Sequence, residues 1–127
     1  MHSKPQLLVW LTCDGVHIDR TTGKHTLIGA FSNIRAARYP AVHPFMVWFL
    51  TLTDVAAGEH QLRISIGRDP TELQPLIQRS FTSHSPLDHI NIINEMVKLS
   101  FPVPGEYSIL IEVDDEPLLA PRLNLVA

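Results

Sequence analysis

Between Val97 and Val113 apolar side chains recur at every second position. Val97, Leu99 and Phe101 alternate with Lys98 and Ser100; Tyr107, Ile109, Ile111 and Val113 alternate with Glu106, Ser108 and Glu112. Successive strand residues point to opposite faces, so each run predicts a β-strand with one buried and one wet face. Pro102, Pro104 and Gly105 cannot continue a ladder, which makes residues 97–113 a predicted hairpin around a Pro/Gly corner. Tyr107 sits where a Tyr near a strand start, at the corner of many β-sandwiches, hydrogen-bonds back to nearby backbone.

The same rhythm runs through the rest of the chain. Gln6 to Cys13 is apolar on both faces, with Leu7, Val9 and Leu11 on one and Leu8, Trp10 and Cys13 on or near the other. That pattern suits a central strand or an edge covered by a partner. Arg20 to Lys24 predicts a hairpin turn with Gly23 at positive φ. His25 to Phe31 is the return strand, with Leu27, Gly29 and Phe31 on one face; a Gly inside a strand marks a bulge or a close backbone approach. Residues 34–39 are a short extended piece. Phe45 to Thr53 carries large apolar groups on both faces and is the expected central strand. Leu62, Ile64 and Ile66 define a half-buried strand that ends at Gly67-Arg68-Asp69-Pro70. Leu76 to Thr82 reads as an edge strand. Leu118 to Val126 is the last strand, with Leu119, Leu123 and Leu125 inward and a break expected at Pro121.

Residues 86–96 admit two readings. Ser85-Pro86-Leu87-Asp88 resembles a helix start, and Leu87, Ile90, Ile93 and Met96 recur at three-residue spacing. Ile90, Ile92, Ile93, Asn91 and Asn94 are poor helix formers, which favours a strand running into Val97. The count is then seven to eight strands, with turn signals every 8–12 residues and no βαβ alternation. This predicts an all-β chain: a single antiparallel β-sandwich over residues 1–127, of immunoglobulin or fibronectin type, with little or no helix.

Composition narrows the class. The chain has 127 residues, enough for one core without staples, and ten prolines, which suit a β-domain with many corners. Cys13 is the only cysteine, so no internal disulfide is possible and a reducing, cytoplasmic location is expected. The apolar run Leu7 to Leu11 is short for a signal segment, and no run reaches membrane-spanning length. Net charge is −3; residues 1–53 carry five Lys/Arg against two Asp, and residues 54–127 carry five against eleven acidic residues. Without a basic run or interleaved aromatics, nucleic acid is not an expected partner. The opposed charges of the two halves favour self-association.

Leu11-Thr12-Cys13-Asp14, followed by Gly23-Lys24-His25-Thr26-Leu27-Ile28-Gly29-Ala30-Phe31, resembles the N-terminal signature of an uncharacterised bacterial family: a strand ending in Asp, then a Gly-Lys hairpin. Pro104-Gly105-Glu106-Tyr107 and Val113-Asp114-Asp115 stand where that family has a Pro-Gly-x-Tyr strand and a short acidic turn. The resemblance spans most of the chain. It implies a small β-sandwich of unknown function and brings no catalytic residues. The family often has Gly where Asp115 stands, a departure that a type I turn would accept.

Candidate chemistry is sparse. The seven histidines are His2, His17, His25, His43, His60, His84 and His89, with no His-x-His or His-x3-His spacing. His17 and His25 could meet across the Gly23 hairpin as zinc ligands; the ordinary reading is exposed strand histidines. Asp114, Asp115 and Glu116 could hold Ca²⁺ only with a second acidic loop, for which Asp54, Asp69 and Asp88 are single candidates. Cys13 falls in a core strand, and no Gly-x-Ser-x-Gly or phosphate-cradling loop is present. No catalytic, metal or cofactor site is therefore expected.

The aromatics offer more. Tyr39-Pro40-Ala41-Val42-His43-Pro44-Phe45 reads as a rigid, Pro-fenced loop that would lose little entropy on binding. Tyr39, Pro40, His43 and Phe45, with Trp10, are the candidate interaction residues. The expected function is a non-enzymatic module acting by protein–protein contact, including contact with its own copies. The alternative is a small-ligand pocket between the sheets, lined by Trp10, Trp48 and Tyr39.

Overall fold

The structure, a computed structural model, describes residues 4–69, 71–119 and 121–127. His2 and Pro70 lie outside them. Ten strands follow one another: β1 (Gln6–Ile18), β2 (His25–Phe31), β3 (Asn33–Arg35), β4 (Ala41–Thr53), β5 (Gly58–Gly67), β6 (Gln74–Ser83), β7 (Ile90–Phe101), β8 (Gly105–Val113), β9 (Glu116–Leu119) and β10 (Arg122–Val126). They form two sheets, one ordered β2-β1-β4-β7 and one ordered β3-β10-β8-β5-β6, with β9 also paired to β8. The fold is an all-β sandwich, as expected. The pairings are antiparallel except that of β3 with β10, which is parallel.

The two extra strands arise at chain irregularities. The last strand is divided, and its halves, β9 and β10, pair with successive stretches of β8. β3 has only three residues, too few for a period-2 pattern to show.

The core lies between the sheets. Met46, Trp48, Leu50 and Leu52 of β4 meet Leu62 and Ile64 of β5 and Tyr107, Ile109, Ile111 and Val113 of β8. Trp48 is fully buried, and Trp10 packs edge-on against it with ring centroids 5.6 Å apart. The Tyr107 hydroxyl donates to the Val103 carbonyl (2.6 Å) and accepts from the Val103 N–H (3.2 Å), which fixes the Pro corner as the sequence implied. That corner is not a hairpin. β7 belongs to the four-stranded sheet and β8 to the six-stranded one, so Pro102 to Pro104 carry the chain across the sandwich.

Residues 86–96 resolve as turn and strand. The Ser85 Oγ accepts from the Leu87 N–H (3.2 Å) and the Ser85 carbonyl from the Asp88 N–H (3.1 Å), after which the chain enters β7. β4 is central, flanked by β1 and β7, and β6 is an edge strand.

Four irregularities redirect side chains that simple alternation misplaces. A bulge at Leu8 puts Leu7 and Trp10 in the main core and turns Val9, Leu11 and Cys13 to the opposite face. At Asp14 and Gly29 the β1–β2 hairpin changes faces: Phe31 joins the main core, while Leu27 and Val16 pack on the outside of the sheet. Gly29 has φ +67°, and the Asp14 side chain fills the space a Cβ would take, so what approaches closely is a side chain rather than the backbone. At Lys98, φ +54° inverts the phase of β7 opposite Pro44; Met96 and Phe101 are both buried, and Val97 is 64% exposed rather than sharing their face. At Pro121 the phase shifts again, leaving Leu119 half exposed while Leu123 and Leu125 are buried.

Candidate interaction site

The outer faces of the two sheets differ. On the six-stranded sheet, Arg63 of β5 donates two bonds to Glu112 of β8, both 3.0 Å, and lies 3.3 Å from Asp115; Arg122 lies 3.5 Å from Glu106. Those residues make a solvated, charge-paired surface. On the four-stranded sheet, Cys13, Val47 and Phe49 form a second apolar cluster, surrounded by Val9, Leu11, Val16, Leu27 and Ile93. The cluster is covered because the hairpin arm beyond Asp14 and Gly29 folds across it. His25 lies against Phe49, ring centroids 5.9 Å apart. Burial raises the Cys13 thiol above its ordinary value.

The arm does not reach the end of the sheet formed by the start of β4 and the end of β7. There Phe45 and Val97 are cross-strand partners, 38% and 64% exposed, and Val42 nearby on β4 is 57% exposed.

The five residues singled out from the sequence do not form one surface. Trp10 and Tyr39 pack against the main core. The Tyr39 hydroxyl donates to the Val126 carbonyl (3.0 Å), tying the Tyr39–Pro40 turn to β10. His43 is half-buried against Phe31, centroids 5.8 Å apart. Phe45 and Pro40 are exposed. The segment from Ala41 onward is strand rather than loop, since β4 begins there. Val97 and Val42 were missed because alternation alone buries the first and says nothing of the second. Pro44, inside an otherwise continuous β run, was the signal that the pattern breaks.

A second constellation had no sequence signature. His60, on β5, places Nδ1 2.5 Å from the Asp114 Oδ2 and Nε2 2.6 Å from the Ala56 carbonyl oxygen. Its ring stacks on Phe81 at 5.7 Å. Asp114 also accepts from the Gln61 N–H (2.9 Å). The hydrogen bond to Asp114 raises the His60 pKa. Burial pushes the Asp114 carboxyl up, but its bonds from His60 and Gln61 outweigh that and leave it below the usual range. The pair has the makings of a general base, yet its outer nitrogen faces a carbonyl rather than a hydroxyl or thiol that it could activate.

His17 and His25 do not converge, because His17 pairs with Thr26 and His25 with Ile18, one position out of step. Among the described residues no three His, Cys, Asp or Glu side chains are grouped to hold a metal ion. No helix among them is long and apolar enough to cross a membrane. Asp114 and Asp115 both have positive φ, 49° and 67°, so the acidic hairpin is of type I′ rather than type I.

No curated protein sequence matches the chain. Among solved structures it is similar to the alkylpurine DNA glycosylase AlkC of Pseudomonas fluorescens bound to DNA containing an abasic site analogue. The TM-score is 0.55 at 14% identity, over 97% of this chain and 30% of that one. It is also similar to the β-glucosidase of Listeria innocua in complex with isofagomine, with TM-score 0.53 at 8% identity, over 99% of this chain and 16% of that one. An immunoglobulin-like protein of Pseudomonas aeruginosa aligns over 98% of both chains at 12% identity, with TM-score 0.45. The chain thus spans a minor part of both enzymes, and the likeness is one of fold. The sequence itself, over residues 8–126, matches the model of a family of unknown function, DUF6941, and the chain belongs to that family.

Proposed function

We propose that this protein is a non-enzymatic interaction module that binds protein, including its own copies, through the outer face of its four-stranded sheet. The observation that carries this reading is the contrast between the two outer faces. One carries Arg63, Glu112 and Asp115 in a charge-paired layer, with Leu76 and Leu119 exposed singly on β6 and β9. The other leaves Phe45, Val97 and Val42 exposed beside an apolar cluster that its own arm covers only in part. Adjacent exposed apolar side chains on a rigid sheet mark an interaction surface more often than scattered ones do. The start of β4 supplies most of it, which keeps Phe45 from the original candidates and replaces Trp10 and Tyr39 with Val97 and Val42. The two enzymes that share the fold devote a minor part of their chains to it, which suits a module working beside other machinery. A cytoplasmic setting belongs to the same reading, on the strength of the single, buried Cys13.

Sedimentation equilibrium over a wide concentration range tests the proposal. A concentration-dependent dimer, weakened at least tenfold in the doubly substituted Phe45→Ser, Val97→Ser chain, is the expected outcome. A strict monomer at the highest concentration, or a dimer indifferent to both substitutions, overturns the self-association.

A further inference from the structure

Phe45 lies near the start of β4, whereas His60 follows the other end of that strand, and there the sandwich carries its own device. Both ring nitrogens of His60 face oxygen acceptors, a carboxylate at 2.5 Å and a main-chain carbonyl at 2.6 Å. Neither oxygen can donate, so both nitrogens must carry protons for both bonds to exist, and only the imidazolium has two. With one proton removed, a nitrogen lone pair would face an oxygen lone pair at hydrogen-bond distance. The bond to Asp114 is charge-assisted and the stronger of the two, so the Ala56 side yields first.

We propose that His60 is a pH-sensitive latch: as the imidazolium it ties the turn at Ala56 and the turn at Asp114 to the start of β5, and loss of one proton releases the Ala56 turn. That turn is held on one side by Val55 and on the other by the pairing of Gly58 with Ser83 at the start of β5. Val55 is fully buried and its carbonyl accepts from the Ser83 Oγ (2.8 Å), but Ala56, Ala57 and Gly58 are exposed. Release would widen a small cavity of about 200 Å³ that His60 lines with Pro5, Ala56, Val113, Asp114 and Glu116. The groups around the imidazole favour the latched form. Asp114 and Glu116 come from the β8–β9 hairpin, and Glu59 precedes His60 on β5. β6 offers the neutral ring of Phe81. Ahead of β1, Pro5 closes the cavity, and Lys4 lies with Glu116 in the groove beyond it.

The test is a ¹⁵N NMR titration of the full chain from pH 5 to 9, following the His60 ring nitrogens and the Ala56, Ala57 and Gly58 amides. Both ring nitrogens should be protonated at neutral pH, with a midpoint above the ordinary histidine value, and the three amides should shift with that same midpoint. In the Asp114→Asn chain the midpoint should fall. A neutral His60 ring at pH 7 overturns the proposal, as do amides that ignore the titration. If the Asp114→Asn chain does not fold, the wild-type titration decides alone.

Discussion

Arg79, on the edge strand of the six-stranded sheet, donates a hydrogen bond of 3.1 Å to the main-chain carbonyl of Ile93, on the edge strand of the four-stranded one. The same guanidinium nitrogen lies 3.3 Å from the Asn94 Oδ1, and the Asn94 amide donates to the Trp48 carbonyl (3.1 Å). One side chain therefore closes the gap between β6 and β7, satisfies a buried asparagine and occupies an acceptor that an edge strand would otherwise offer to another chain. Substituting Arg79→Leu keeps the stem and removes the donors. It should destabilise the protein by about 1–2 kcal/mol, the cost of leaving a buried acceptor unpaired. Urea denaturation would read this as a lower midpoint at unchanged slope.

Gly29 is required twice over, by its φ of +67° and by the proximity of Asp14. Swinging the Asp14 carboxylate away does not clear the site, because the Asp14 Cβ also lies only 3.2 Å from the position a new methyl would take. Gly29→Ala should cost roughly 1–2 kcal/mol, from the left-handed backbone penalty alone. The loss should concentrate in the β1–β2 arm, as faster amide exchange there than in β8.

The Asp114-Asp115 hairpin points the other way. Both central residues of a type I′ turn sit at positive φ, where Gly is best and Asp only tolerated. Asp115→Gly removes that strain and sacrifices an exposed ion pair to Arg63 that is worth little. A gain of roughly 0.5–1 kcal/mol is expected, visible as a higher melting temperature. A lower melting temperature would mean the Arg63 contact outweighs backbone strain.

Stability should peak in mildly acidic solution. Asp114 is lowered despite its partial burial, and Asp19 and Asp69 are lowered by N–H groups of the threonines that follow them. Their contribution is present above the ordinary carboxyl value of 3.8 and is lost as pH falls through the lower folded values. His60 is raised, chiefly by Asp114, so its contribution is full below 6.5 and fades as pH rises through the folded value. Urea midpoints measured from pH 3 to 9 should be highest between these limits. The alkaline decline should flatten in His60→Asn, which should itself be less stable at pH 6 by about 1 kcal/mol or less, since Asp114 is half exposed.

The fold was legible where the period-2 pattern ran unbroken. β4 and β5 could be read directly, as could the strand starting at Gly105, because each carries three or more alternating apolar side chains. It was illegible where a single residue resets the phase. Alternation puts Val97 in step with Leu99 and Phe101, yet Phe101 is buried and Val97 is exposed, because the positive φ at Lys98 separates them. Leu119 was misplaced by Pro121 in the same way. The interaction surface suffered most, since it begins at Pro44 and Lys98, where the rhythm fails. The His60–Asp114 pair spans 54 positions of sequence and depends on β5 and β8 being neighbours, a fact that no local pattern encodes.

Cys13 lies beneath the folded arm with no accessible surface. A thiol so placed reacts with an alkylating reagent only when the strands above it swing aside. Its modification rate, set against that of the unfolded chain, would meter how often the arm lifts. The protein thus holds a native stopwatch for a part of its architecture that is draped over a sheet rather than packed between two.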